Sequence, residues 1–314
     1  MRLRGGGGVE PLAALLDAYS ASVDGDIRGA AAKAEGLAPF SQPDIEAARL
    51  GLVVRAANEF EPESAEALLA GLAEHAEPVL RARHRAWLGL LRYEQERFAE
   101  AAALHAEAGR LDPRPSRRLV ALLNEGSARL DAGQLGEART VLEALACEGA
   151  RQRHVASELW AFGLLRSVAY RSGVDTPPDE EWITLSRELG EVRRHAHACL
   201  VEAAGAWRLG MTERARELAL ESAAGFEQAG QPGFAVLPMA LACRCGAPEV
   251  GEVLTRAGRF RHARIAVQAL LLVADLPGCA DRGAQLLREY RASLGVRFPD
   301  GRLDVLANEE MIRA

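Results

Sequence analysis

The stretch AWLGLLRYEQERFAEAAALHAEAGRLDPRP, residues 86–115, carries small and bulky side chains at intervals that read as two helices joined by a short turn. Gly89 is followed nine residues later by Phe98, and then by Ala101, Ala108 and Pro113. A small residue in a first helix lets a second helix approach to about 8–10 Å. A bulky residue just past the turn, here Phe98, plugs the base of the hairpin. Pro113 cannot continue a helix interior and so marks the break to whatever follows.

One such pair would be a hairpin, whereas recurrence would make it an architecture. Advancing by 37 residues gives Gly126, Leu135, Ala138 and Leu145, with every interval kept. Gly251, Phe260, Ala263 and Leu270 repeat it, as do Ala18, Ile27, Ala30 and Leu37 with alanine for glycine. Ala203, Thr212, Ala215 and Ser222 keep the spacing with weaker side chains. Gly51 and Phe60 keep the nine-residue step, but Ala65 follows two positions late. Gly163 has its second helix displaced by SGVDTPPDE, residues 172–180. First helices are therefore marked at 18, 51, 89, 126, 163, 203 and 251, and this period belongs to a solenoid. Gly25, Gly133, Gly210 and Gly258 each fall seven residues after the small residue, where a helix end favours the left-handed conformation.

These units resemble tetratricopeptide repeats. The resemblance rests on Leu88, Gly89, Phe98, Ala101, Ala108 and Pro113 in one unit, and on Gly126, Gly133, Leu135, Ala138 and Leu145 in the next. Arg92 and Arg129 stand where that family often has tyrosine, and the period is longer than the family's. The resemblance implies an all-α, right-handed superhelix of about seven hairpins whose first helices line a concave, usually peptide-binding, face. Residues 1–9 read as a flexible leader because a glycine run favours no packed conformation. Residues 10–275 read as the repeat solenoid and 276–314 as a C-terminal capping helix and tail. The longest irregularities are 171–182 and 229–250.

Composition agrees with packed helices. The chain has 314 residues, 49% hydrophobic and 26% charged, so it can bury a large core, and its 5% aromatic content leaves that core to small and aliphatic side chains. A formal charge of −6 argues against non-specific affinity for phosphate backbones. Five scattered cysteines give no small disulfide framework, no signal-peptide core follows the N-terminus, and no apolar run is long enough for a membrane span. The expectation is a soluble, cytoplasmic, bacterial protein.

Catalytic motifs are absent: the sequence holds no GxxxxGK[ST], HExxH or GxSxG. Glu180, Glu181 and His154 would have to converge to support an enzyme. His195 and Cys199 share a helical face four residues apart, but Cys243 and Cys245 alternate and cannot both point one way. The reading is a surface histidine pair with buried cysteines packed as small apolar groups, with no metal and no cofactor, and the alternative is a zinc site.

The arginines are patterned. RARHR (81–85), RPSRR (114–118), RQRH (151–154) and RRH (193–195) recur about once per repeat, each entering a first helix. Cations there oppose the helix dipole, so partner acids are expected, with Glu107, Asp112, Glu143 and Glu148 in reach. One reading is an ion-paired edge between repeats, and the other a rim that takes an acidic peptide. Aromatic stacking residues do not accompany the arginines, which argues against nucleic acid. Candidate partner-binding residues are Arg83, Arg85, Trp87, Tyr93, Arg117, Arg118, Arg151 and Arg153. Trp87, Trp160 and Trp207 are expected in the core, and Trp182, beside PPDEE, on the surface. The function expected is a non-enzymatic scaffold or adaptor that holds a partner segment in the groove. The alternative is a sensor solenoid that binds a signal peptide or small ligand within a regulatory system.

Overall fold

The fold follows from where prolines, glycines and small residues interrupt an otherwise helix-forming chain. The computed structural model describes residues 9–289, apart from 24–25, 61, 71–72, 74–76, 259–262, 278, 280, 283 and 287. These residues form α1 (Val9–Val23), α2 (Ile27–Glu35), α3 (Pro43–Phe60), α4 (Pro62–Ala70), α5 (Pro78–Glu94), α6 (Phe98–Leu111), α7 (Pro115–Asp131) and α8 (Leu135–Gln152). They continue as α9 (Val155–Arg171), α10 (Glu180–Glu188), α11 (Val192–Arg208), α12 (Thr212–Gln228), α13 (Val236–Arg244), α14 (Val250–Ala257) and α15 (Ala263–Val273). The described residues contain no strand. Four helices, α3, α4, α5 and α7, open on proline, whose fixed φ suits the first turn and whose missing N–H is not needed there.

The chain divides into two compact units, 1–125 and 126–314, with the boundary inside α7. In the first unit α1 packs on α2, α3 on α4 and α5 on α6. Leu15, Ala18, Ala34, Leu52 and Val53 form one core there, and Val54, Ala65, Leu69 and Leu91 another. In the second unit α8 packs on α9, α11 on α12, and α13 on both α12 and α15. The core of α10–α13 is built on Ile183, Cys199, Ala203, Ala215, Leu218 and Leu241.

The small residues act as expected in the best repeats. A β-carbon on Gly89 would lie 2.8 Å from the ring of His105, and one on Gly126 would lie 2.5 Å from Leu142. Phe98, Ala101 and Ala138 are buried. The turn position seven residues on is left-handed at Gly133 and Gly210, with φ of 75° and 72°. In the α5–α6 hairpin it is occupied by Glu96, also left-handed at 60°.

Other expectations need correction. Gly258 caps α14 in a right-handed conformation, and Gly25 lies outside the described residues, as does Phe260. Phe60 ends α3 and is not a plug beyond the turn, so the second helix of that unit is marked by buried Ala65. Gly251 sits in the first turn of α14, with open space where a side chain would go. The irregular stretch 229–250 contains a helix of its own, α13, which packs on α14 and α15 instead of leaving a simple hairpin, and helical residues follow between 281 and 289. In the expected capping region Leu286 is buried in that last core. The tail beyond residue 289 and the leader up to residue 8 lie outside the described residues. No helix among them is long and apolar enough to cross a membrane.

Candidate functional site

The arginine clusters 81–85, 114–118 and 193–195 fall at the entries of α5, α7 and α11, whereas Arg151 lies in the last turn of α8 and Arg153 caps that helix, so the expectation of a helix entry fails there. The structure sorts the arginines into two kinds. Arg85 pairs with Glu107 at 2.9 Å and Arg151 with Glu148, both among the partner acids expected. Arg114 grips Asp112 with two hydrogen bonds of 2.8 and 2.7 Å and also reaches Asp44. These arginines are neutralised locally. Arg151 is 68% exposed as well, and an exposed pair of this type contributes only about 0–1 kcal/mol.

Arg83 behaves differently. Its guanidinium makes no hydrogen bond or ion pair among the described residues, and burial with the charges of Arg117 and Arg114 pulls its pKa down to about 10. Asp112 and Asp44 oppose that shift without cancelling it. Both acids are already held by Arg114. Although burial pushes Asp112 up, its hydrogen bonds from Arg114 keep its carboxyl below the usual range. The start of α7 thus brings the charge of Arg117 to bear on a half-buried Arg83 whose nearby acids are committed to Arg114. Arg117 and Arg118 are themselves exposed. A carboxylate brought between Arg83 and Arg117 would meet donors on two helices, and a guanidinium can hold a carboxylate with two parallel hydrogen bonds.

The remaining candidates are less available. Trp87 is half-buried, its ring on the space that Gly51 leaves, where a β-carbon would meet it at 3.3 Å. Tyr93 packs edge-on against Phe98, centroids 5.1 Å apart. Arg153 is exposed and caps α8 in a left-handed conformation, with φ of 55°. Trp182, expected on the surface, is only 5% exposed, because its ring lies where a side chain on Gly163 would go: a β-carbon there would meet it at 2.7 Å. Nothing in the local sequence PPDEE signals that burial, since the glycine that receives the ring lies nineteen residues earlier.

The residues named for an enzyme are engaged separately. His154 caps α9 by accepting from the Ser157 amide, and Glu180 pairs with Arg214 at 2.6 Å. The histidine pair is not on the surface: His195 is mostly buried and His197 packs against Trp160 at 5.1 Å. All five cysteines are free thiols.

No protein-family profile matches the chain. No curated protein matches it either. Among solved structures it resembles a Rap protein complexed with competence and sporulation factor, with a TM-score of 0.65 and 14% identity over 96% of this chain and 89% of that one. At that identity the likeness establishes the fold, an all-α helical repeat.

Proposed function

We propose that the chain is a non-enzymatic binding module, a scaffold or adaptor that takes an acidic segment of a partner protein between Arg83 and Arg117. The observation that carries the reading is the placement of Arg83, half-buried and within the field of Arg117, with its nearby carboxylates bound to Arg114. Holding an unneutralised cation in that position costs stability, and an incoming carboxylate would recover it through charge-assisted hydrogen bonds of about 1.5–3 kcal/mol each.

The test uses a fluorescent glutamate-rich peptide and its glutamine counterpart. The acidic peptide should bind with an affinity that falls as salt is added, because the pairing is electrostatic. Arg83→Gln with Arg117→Gln should weaken it at least tenfold while leaving the helical circular dichroism intact. Equal binding of both peptides, or no loss in the double variant, would reject the acidic segment.

A second reading is favoured by the bound factor of the Rap structure. In it the chain is the sensor part of a regulatory system, and its ligand is a signal peptide. Discrimination is by consequence: a sensor should change conformation on binding, seen as altered hydrogen exchange away from α5–α7, whereas a scaffold should be protected only at the contact.

A further inference from the structure

The second unit brings together three side chains that the repeat pattern does not require to meet. His195 and Cys199 lie one turn apart on α11, and Glu221 reaches them from α12. His195 Nε2 is 2.8 Å from Glu221 Oε1 and 3.5 Å from Cys199 Sγ, and the three donor atoms lie within 4.8 Å of one another. Glu221 meets Nε2, whereas Cys199 Sγ lies beside the ring, 4.0 Å from Nδ1 as well. A nucleophilic triad would chain the two through opposite nitrogens with the thiol in line with one of them, so three donor atoms gathered this closely suit a shared ion better than proton relay.

The hydrogen bonds around the ring point the same way. Ser186 Oγ lies 2.7 Å from the Ile183 carbonyl, which can accept its single hydroxyl proton. With the proton placed there, Ser186 accepts from His195 Nδ1 at 2.9 Å, and Nδ1 carries the hydrogen. Nε2 then has either a second proton or a bare lone pair aimed at a carboxylate oxygen 2.8 Å away. A lone pair facing a carboxylate is repulsive, so a positive species belongs between them. The choice is a proton or a metal ion.

We infer that His195 Nε2, Cys199 Sγ and a Glu221 carboxylate oxygen form a binding site for a zinc-class divalent ion, with Ser186 fixing the histidine tautomer. With zinc bonds of about 2.3 Å to sulfur and about 2.0–2.1 Å to nitrogen, a tetrahedral site has an S···N edge of about 3.5 Å. That distance is already present, and Sγ must swing from beside the ring toward the Nε2 lone pair to close the edge. The corresponding N···O edge is about 3.3 Å, so Glu221 must draw back by roughly half an ångström. It has the freedom to do so, since its side chain is the most exposed of the three, and its side is the route by which an ion enters. A water completes the fourth position, and binding releases the Cys199 thiol proton and any proton on Nε2 to solvent. Ser186 is the outer partner that metal-bound histidines commonly have. Arg187 donates to the same Glu221 oxygen at 2.7 Å and competes with the ion.

The test is titration of the full chain, without a histidine tag, with zinc and with cobalt. One zinc per chain should survive desalting, and cobalt should give a thiolate charge-transfer band. Cys147→Ser, which removes the one exposed cysteine, should keep both. Cys199→Ala should abolish the band, and Glu221→Gln should weaken zinc at least tenfold. Should Cys199→Ala not fold, His195→Ala and Glu221→Gln decide on affinity. Arg187→Gln should tighten binding severalfold, which a merely structural role for Glu221 would not produce. Absence of a cobalt band in the wild type, its persistence in folded Cys199→Ala, or unchanged zinc affinity in Glu221→Gln would overturn the site.

Discussion

The α5–α6 hairpin and the α9–α10 hairpin solve one packing problem in two ways. In both, a ring fills the space left by a first-helix glycine: a β-carbon on Gly89 would meet His105 at 2.8 Å, and one on Gly163 would meet Trp182 at 2.7 Å. They differ in what joins the helices. In α5–α6 the connection is three residues with Glu96 left-handed, whereas α9 and α10 are separated by an eight-residue segment, 172–179. That segment is held by a buried ion pair. Arg166 donates to Glu202 at 2.7 Å, to Thr176 at 2.8 Å and to the Pro177 carbonyl at 2.8 Å, and Glu202 also accepts from Tyr170 and from the Asp179 amide. The glycine therefore reports a helix contact in both places, while the interval reports only how short the turn is.

The largest expected effect breaks the second arrangement. Glu202 is fully buried, and Glu202→Ala would leave Arg166 without its counter-charge, at a cost of about 3–5 kcal/mol. Replacing both partners with apolar side chains, Arg166→Met with Glu202→Leu, should cost less than the single change. Urea unfolding of the three proteins checks the order. If the single and double variants are equally stable, the pair is not what holds the connection.

Next in size is the pH dependence of the first hairpin. Burial lowers the pKa of His105 from 6.5 to about 4, so the native state holds it neutral while the unfolded chain takes up a proton. Its contribution is complete above about pH 6.5 and is lost as pH falls toward about 4, a change of about 3 kcal/mol. His105→Leu places there the residue found 37 positions on at Leu142, and should flatten the loss of stability between pH 7 and pH 4 by that amount. Denaturation midpoints across this range measure it. An unchanged slope would mean that other groups, such as half-buried His197, carry the acid sensitivity.

Gly126→Leu should follow at about 1–3 kcal/mol or more, since a β-carbon alone would meet Leu142 at 2.5 Å and the two helices must part. This is the position the spacing made most legible. A residue type at a fixed interval reports a steric requirement, and that requirement is local to one hairpin. The same logic failed at Gly251, because helix identity at the end of the chain depends on α13, whose apolar run has no glycine marker. It failed at Trp182 because the contact crosses an insertion of a length that the pattern could not supply. The arginine clusters were visible as clusters, but which members are neutralised was not. Asp44 lies seventy residues from Arg114, and only folding brings it there to leave Arg83 unpaired. Glu221 was likewise out of reach of a reading that looked along one helix face from His195 to Cys199.

The smallest effect sharpens the comparison at the turn itself. Glu96 and Gly133 occupy equivalent positions one repeat apart, with φ of 60° and 75°. A side chain in that region costs about 1–2 kcal/mol, while glycine gives back about 0.5–1 kcal/mol through the greater freedom of its unfolded chain. Glu96→Gly should therefore stabilise the hairpin by roughly 0.5–1 kcal/mol less whatever the Glu96 side chain contributes. Gly133→Glu should destabilise its hairpin by a similar amount. Opposite signs of the two shifts in urea midpoint are the expected result. Two shifts of the same sign would mean that side-chain contacts of Glu96, and not backbone conformation, decide what the turn accepts.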